Sequence, residues 1–429
     1  MIPLKYIDNV LILVGFAFLV GSLNASLTTF DSSVGGANSS GNLNIQVFSM
    51  AIYVPTVFLI LYRIERFLGL IRNNLILFLF FLIPLFSIFW SIVPELSARR
   101  VIALTGTTLF ISYTTIAVSP ERAMRLLAAV FGITAISSLV FALALPGLGT
   151  HEAGPYVGVW RGVFAHKNRL GGMMVLAVVT IFLCPKHTKN ELIAARIGIV
   201  TAALLIIMSQ SKTALLIFLF LTLILPVMNW LSGKRSRSLE RAVFVLLFGI
   251  IFASLLAKNT DTILEFLGKD ITLTGRTGTW QLAWDNIHER PILGHGYRVF
   301  WSDKSPGRLV GIESWRDKIS HSHNTYLDLM LDFGFFGFVW FLLILAIFLR
   351  RVSRILYFHK DSIAIWMLAF AAYMIVVGIT EKTVFEQSDV VWAVFILSVF
   401  YLSPRSRRET PSTKQRIQSL LYNQMSTSS

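Results

Sequence analysis

A single cysteine, Cys184, rules out an intrachain disulfide and any metal site built on cysteine. Charge is scarce as well: 14% of the 429 residues are Asp, Glu, Lys or Arg, against about 25% in a soluble domain. Acids are fewer than bases, 23 against 38, and no two of them stand at metal-ligand spacing beside the basic motifs. That argues against a carboxylate-held metal, and no metal and no cofactor is expected. The net charge of +15 comes without a basic-aromatic module, so nucleic acid is not the expected partner. In a membrane protein such a balance reflects Lys and Arg in cytoplasmic loops and attraction to anionic lipid. The opening stretch MIPLKYIDNVLILVGFAFLVG lacks a signal-peptidase-like site and reads as a first span. Internal repeats, which an inverted-repeat transporter would carry, are also missing.

What is abundant is apolar: 55% of the chain, in runs that recur along nearly its whole length. The expected fold is an all-α polytopic membrane protein. Spans are placed near 9–27, 46–63, 74–93, 101–118, 124–145, 169–184, 194–209, 213–230, 241–257, 331–349, 362–379 and 389–403, about twelve in all. Alternate connections hold most of the basic residues, among them Arg63, Arg66, Arg72, Arg122, Arg125, Lys186, Arg196, Lys234, Arg350 and Arg351. The positive-inside bias puts these in the cytoplasm together with both termini. Arg99 and Arg100 break the pattern on the opposite face. Four regions follow: spans over 1–257, a large external loop over 258–323, further spans over 324–403, and a basic tail over 404–429 that reads as disordered. Within the large loop, TGRTGTWQLAWDNIHERPILGHG has a Thr/Gly cap, then Trp280, Trp284 and Ile287 on one helical face, then a stop at Pro291. Such a helix suits the membrane interface.

Most of the polar residues left on the external face sit at span ends. They are Arg161, His166, Lys167, Asn168 and Arg169; Gln210 and Lys212 in a very short hairpin; Arg276; His321 and His323; and Glu381, Lys382, Glu386 and Asp389. Each has an ordinary explanation. Lys212 can snorkel, Arg276 can cap or pair in a soluble loop, Arg161 and Lys167 can meet lipid headgroups, Glu381 can pair with Lys382, and the histidines can be plain loop residues. The functional reading rests on their gathering at one face in charge-poor surroundings. Several cations at a bilayer surface suit a diphosphate, because Arg contacts phosphate oxygens in pairs and Lys adds a point charge. A His-X-His segment without a third evident ligand is a weak zinc signal, whereas an imidazole can accept a hydroxyl proton near neutral pH. Together these describe glycosyl transfer from a lipid-linked sugar diphosphate. Trp280, Trp284, Trp301 and Trp315 would serve for stacking on sugars, or equally as an interfacial belt.

The stretch HSHNTYLDLMLDFGFFGFVWF resembles the signature of the O-antigen ligase and polymerase superfamily (Wzy/WaaL-like), in which a His-Asn pair closes the large periplasmic loop. GRTGTWQLAWDNIHERPILGHGYRVFW, SQSKTALL and FAHKNRLGG resemble further motifs of that family, and the likeness covers roughly residues 150–400. The resemblance implies a metal-independent, inverting glycosyltransferase of the GT-C type in the bacterial inner membrane, with an undecaprenyl-diphosphate-linked glycan as donor. By matched position it implies His323 as base and Arg276 and Lys212 as the cations on the diphosphate. Arg161, His166, Lys167, Asn168, Asn324 and Glu381 are candidates for further substrate contacts. Many ligases carry Arg where Lys212 stands, and this departure points toward the ExoQ-like exopolysaccharide polymerase branch. The acceptor would be a glycan or lipid-linked repeat, and polysaccharide export or chain-length proteins are candidate partners. A ligase that delivers polymer to lipid A-core is the alternative. A transporter or flippase fits less well, because the charges sit at span ends and not in mid-span.

Overall fold

The computed structural model describes residues 3–23, 43–231, 276–302, 321–358 and 361–403. Among them all regular secondary structure is helical: α1 (Leu4–Val20), α2 (Leu43–Tyr62), α3 (Ile64–Asn73), α4 (Leu75–Phe86), α5 (Pro94–Ala117), α6 (Pro120–Ala144), α7 (Lys167–Leu183), α8 (Lys189–Met208), α9 (Lys212–Leu231), α10 (Arg276–Glu289), α11 (Thr325–Phe358), α12 (Ser362–Val377) and α13 (Val390–Tyr401). A helix stands at each expected span position except 241–257, which lies outside the described residues.

Length and composition make α2, α6, α8 and α11 able to cross a bilayer. The pair α3 and α4, bent by 93° at Asn74, is a fifth candidate if it counts as one broken span. Three more are apolar but short: Lys212–Val227 within α9, α12 and α13. Their outward surfaces show what surrounds them. On α2 the exposed side chains are Leu43, Val47, Met50, Val54, Phe58 and Leu61, a stripe at helical spacing. On α8 the stripe is Ile193, Ile197, Val200, Leu204 and Ile207. Apolar stripes of this extent in water would be aggregation-prone patches; on helices they are the surface that lipid covers. This is a multi-pass membrane protein.

The centre of the bundle is α12 and α13. Both are buried around their whole circumference, with Trp366 and Trp392 almost inaccessible, as expected of a helix apolar on every face. They are also short, about 24 Å and about 18 Å by helical rise, less than the roughly 30 Å hydrocarbon core. The polar connection between them, Gly378–Asp389, is therefore enclosed by longer helices, and its charged groups must find partners inside the protein.

One further feature positions that connection. Helix α11 breaks at Gly334, where φ is 64°. The break frees backbone groups that the Pro291–Gly296 turn takes up. Phe335 and Phe336 N–H donate to the carbonyls of Pro291 (2.7 Å) and Ile292 (3.3 Å), and His295 and Gly296 N–H donate to those of Leu331 (2.7 Å) and Asp332 (3.0 Å). A Cβ at Gly334 would lie 2.2 Å from the Ile292 carbonyl oxygen, so only glycine admits this docking. The expected span near 331–349 thus begins as a separate helical segment outside the main run.

Candidate functional site at the histidine end of the bundle

The polar residues divide between the two ends of the bundle. At one end lie the starts of α1, α4, α6 and α8 and the ends of α2, α5, α7, α11 and α13. There Arg63 pairs with Asp8 at 2.8 Å, Arg122 meets Asn9, Arg125 meets Glu121 and Glu191, and Arg351 donates to Asn74 and to the Val399 carbonyl. At the other end lie the motifs singled out in the sequence.

The segment 321–324 is built as a rigid loop. Ser322 N–H donates to Asp328 Oδ1 (3.1 Å), and its carbonyl accepts from Trp280 Nε1 (2.9 Å). Its hydroxyl bonds the Asn324 backbone on both sides. Asp328 Oδ1 also accepts from Trp301 Nε1 at 2.9 Å. Asn324 is the cap of α11, its Oδ1 accepting from the N–H groups of Tyr326 (2.9 Å) and Leu327 (3.2 Å). That is a structural duty for a residue expected to contact substrate. His323 adopts φ 54°, a left-handed conformation that costs a non-glycine residue on the order of 1 kcal/mol.

Glu381 is delivered to this loop by Thr325, whose hydroxyl donates to the Glu381 carbonyl (2.9 Å) and accepts from Thr383 N–H (2.7 Å). The Glu381 carboxylate then lies 3.4 Å from His323 Nδ1 and 3.7 Å from His321 Nε2, with the two imidazole centroids 4.0 Å apart. All three side chains remain partly exposed, at 38%, 27% and 31% for His323, His321 and Glu381. The pairing of Glu381 with Lys382 does not form. Lys382 turns inward to Asp332 at 3.1 Å, while Arg298 takes Glu386 at 2.6 Å and Arg169 takes Asp389 at 2.7 Å. The outlying Arg100 is explained too: it donates to the Arg298 carbonyl.

The other two motifs meet the same end. His166 caps α7, its Nδ1 accepting from Asn168 N–H at 3.2 Å. Burial pushes the His166 imidazole below its usual value; Glu381 pulls it back up, and Lys167 and His323 push it further down. The FAHKN segment and the His323 loop are thus electrostatic neighbours. Lys167 donates to the Gln210 carbonyl (3.3 Å) and lies 4.4 Å over the Tyr156 ring, which ties it to the hairpin where α9 starts at Lys212. Arg161 instead donates to the carbonyls of Leu148 and Gly147 and closes its own loop. Arg276 opens α10 one turn ahead of Trp280; its side chain lies outside the described residues. The face of α10 turned inward is Ala283 and Ile287, with Trp280 half-buried beside them, whereas Trp284 is exposed and meets the His288 ring edge-on at 5.1 Å. The expected Trp280–Trp284–Ile287 face is therefore rotated. Trp301 is buried and bonded to Asp328, so its ring is not open to a sugar, and Trp315 lies outside the described residues.

Asp328, Asp332, Arg298 and Arg169 were passed over in the sequence, or not given a role. The signal was there for two of them. Asp328 and Asp332 stand four apart in the apolar run LDLMLDFG, and acids in such a run have partners. All five described non-glycine residues with positive φ, Gln210, Arg298, His323, Phe385 and Ser388, fall in connections at this end. Local strain of this kind gathers at sites whose surroundings hold it in place.

The O-antigen ligase family model matches residues 197–342, which include the Lys212 hairpin, all of α10, the His323 loop and the break at Gly334. The exopolysaccharide production protein ExoQ of Rhizobium meliloti is 26% identical over 78% of this chain and 78% of its own. Over residues 197–342 the chain is similar to the O-antigen ligases. A ComP-specific O-oligosaccharyltransferase of Acinetobacter baylyi is 27% identical over 199 residues, 42% of this chain and 34% of that protein. An enzyme of polysaccharide ligation or polymerisation is what this relatedness supports. The match to ExoQ is longer than the family segment.

Proposed function

We propose that the protein is an inverting, metal-independent GT-C type glycosyltransferase that polymerises polysaccharide repeat units. It would move a glycan from undecaprenyl diphosphate to a sugar hydroxyl on the periplasmic face of the bacterial inner membrane. The observation that carries this reading is the 3.4 Å approach of Glu381 to His323 Nδ1 at the mouth of the bundle. A carboxylate on Nδ1 holds the proton there and leaves Nε2 with its lone pair. The acceptor hydroxyl gives its proton to His323 Nε2 as its oxygen bonds the anomeric carbon. The bond from that carbon to the diphosphate oxygen breaks, and undecaprenyl diphosphate leaves with the electron pair. Arg276 and Lys212 would balance the charge that gathers on the leaving diphosphate. Lys167 and His166, beside the same hairpin and loop, fit a supporting role toward the substrate.

The topology that goes with this reading has about twelve spans, both termini in the cytoplasm, and residues 258–323 as the periplasmic loop. Its support is that Arg63, Arg122, Arg125 and Arg351 gather at the end away from His323. In a protein whose Cys184 is replaced, an impermeant thiol reagent should label Ser305→Cys and spare Ser236→Cys. The opposite pattern contradicts the assignment.

Ligation of finished polymer to lipid A-core is the second reading, favoured by the relatedness to an O-oligosaccharyltransferase. Deleting the gene separates the two. Loss of surface polymer with single repeats accumulating on the carrier lipid means polymerase; full-length polymer left on the carrier beside bare lipid A-core means ligase.

A further inference from the structure

The histidine loop and Glu381 have a second chemistry that glycosyl transfer does not use. In sequence His321 and His323 had no third ligand; the fold supplies Glu381 from a connection 58 residues further along. One donor atom from each of the three residues lies within 4.8 Å of the other two. The carboxylate oxygen is 3.4 Å from His323 Nδ1 and 3.7 Å from His321 Nε2. Zinc–nitrogen and zinc–oxygen bonds of about 2.0–2.2 Å place the donors of a tetrahedron about 3.3–3.5 Å apart. The two separations from the carboxylate match that edge with a shift of a few tenths of an ångström, and the two imidazole nitrogens lie within 4.8 Å of each other. Two imidazoles and one carboxylate suit zinc over magnesium or calcium, which take oxygen donors. The partial exposure of all three side chains gives an ion access and leaves room for water as a fourth ligand. The backbone around the two histidines is already fixed by Asp328 and Trp280 through Ser322, so binding needs little ordering.

We propose that His321, His323 and Glu381 form a zinc site whose occupation switches the transferase off. The inference rests on the base assignment above, and its inhibitory sense follows from the nitrogen involved. Glu381 faces Nδ1 of His323. A zinc ion held there takes the Nδ1 lone pair: the imidazole's one proton leaves Nδ1 for solvent and Nε2 takes one up from solvent, so the ring stays neutral with its proton on Nε2. The lone pair that would accept the acceptor hydroxyl's proton is gone. His321, which has no part in the transfer step, acquires one as a ligand.

Purified full-length protein stripped with EDTA is titrated with zinc by calorimetry and with cobalt by its visible absorption. Transfer from a lipid-linked donor is followed in parallel. We expect one ion per chain, inhibition that tracks its binding, and recovery when EDTA is added. His321→Ala and His321→Gln, each compared with its own metal-free rate, should need at least about 10-fold more zinc for half inhibition; loss of a ligand costs no less than loss of the outer-shell groups that orient one, which is about that much. Absence of saturable binding, or the same zinc sensitivity in both His321 variants, overturns the proposal. Binding of one ion that leaves the rate untouched overturns its inhibitory sense. A metal-free protein that binds one zinc ion but transfers no glycan overturns the transferase reading and with it the inhibitory sense, while the zinc site itself stands.

Discussion

At one end of the bundle Arg63, Arg122, Arg125 and Arg351 each close onto an acid, an amide or a carbonyl of a neighbouring helix. At the other, Arg298, Lys382 and Arg169 also close onto Glu386, Asp332 and Asp389, but a set of unlike character lies beside them: His321, His323 and Glu381, with Lys167, His166 and the start of α9 alongside. The first end uses charge to tie helices together. The second closes one set of charges in pairs and holds a second set beside it partly exposed, with His323 on strained backbone. A helix-tying pair is most stable when both members are satisfied and sheltered. A reacting group has to keep one face open, and the partial exposure of His323 beside a carboxylate meets that condition.

The comparison breaks most sharply at His323. His323→Ala should lower transfer by about 10²–10⁴-fold, the usual cost of losing a general base, with the protein still in the membrane at normal abundance. His321→Ala should be milder. If the two effects exchange, the base belongs to His321 and the loop has been read two residues out of register.

Next come the groups proposed for the diphosphate. Arg276→Ala or Lys212→Ala should each lower turnover and donor use by about 10–100-fold, from charge-assisted contacts worth roughly 1.5–3 kcal/mol. Lys212→Arg should keep substantial activity and Arg276→Lys less, since only arginine offers the planar fork. Steady-state kinetics with varied donor concentration decide this; equal tolerance of both exchanges would deny Arg276 a paired contact.

A change at the opposite end should do the reverse. Arg63→Ala strands Asp8, 6% exposed and bonded to Tyr113 at 2.5 Å. It should cost about 3–5 kcal/mol of stability, as breaking one side of a sheltered pair does, and lower the melting temperature in detergent. Turnover per folded molecule should stay the same; a selective loss of turnover would mean the two ends are coupled.

The smallest expected effect is on pH. Burial holds His151, His166 and His295 below the ordinary 6.5. The unfolded chain then binds more protons than the folded one at pH values under 6.5, so stability is full above that value and falls as the pH drops below it. Melting temperature measured between pH 8 and 5 should decline through the lower half of that range. A flat profile would mean these imidazoles charge freely in the folded protein.

Much of the architecture was legible because apolar runs and the placement of Lys and Arg are local properties of the sequence. The end of α10 followed from its punctuation, Pro291 just past it. The motifs His166–Lys167, the Lys212 hairpin and His323 were each found in the sequence, and the fold brings them to one end. What could not be read was which residue meets which across long separations. The partner of Glu381 is not its neighbour Lys382 but histidines 58 and 60 positions away, because the short helices α12 and α13 sink their connection among other helices. The break at Gly334 was hidden as well, since its hydrogen-bond partners come from a turn some 40 residues earlier and leave no periodic trace. The Trp284 side of α10 was misjudged for a related reason: α10 packs on α11, and its inward face is set by Ala283, a residue too small to stand out in a hydropathy pattern.

The most direct test uses purified protein, a lipid-linked donor and acceptor, and EDTA throughout, with wild type and His323→Ala run side by side. The account predicts that wild-type protein transfers glycan in EDTA at its full rate or faster, and that the variant falls to about 1% of it or less, within the range set by a lost base. Wild-type activity that vanishes in EDTA and returns with a divalent ion, or a His323→Ala protein that transfers normally, would contradict it.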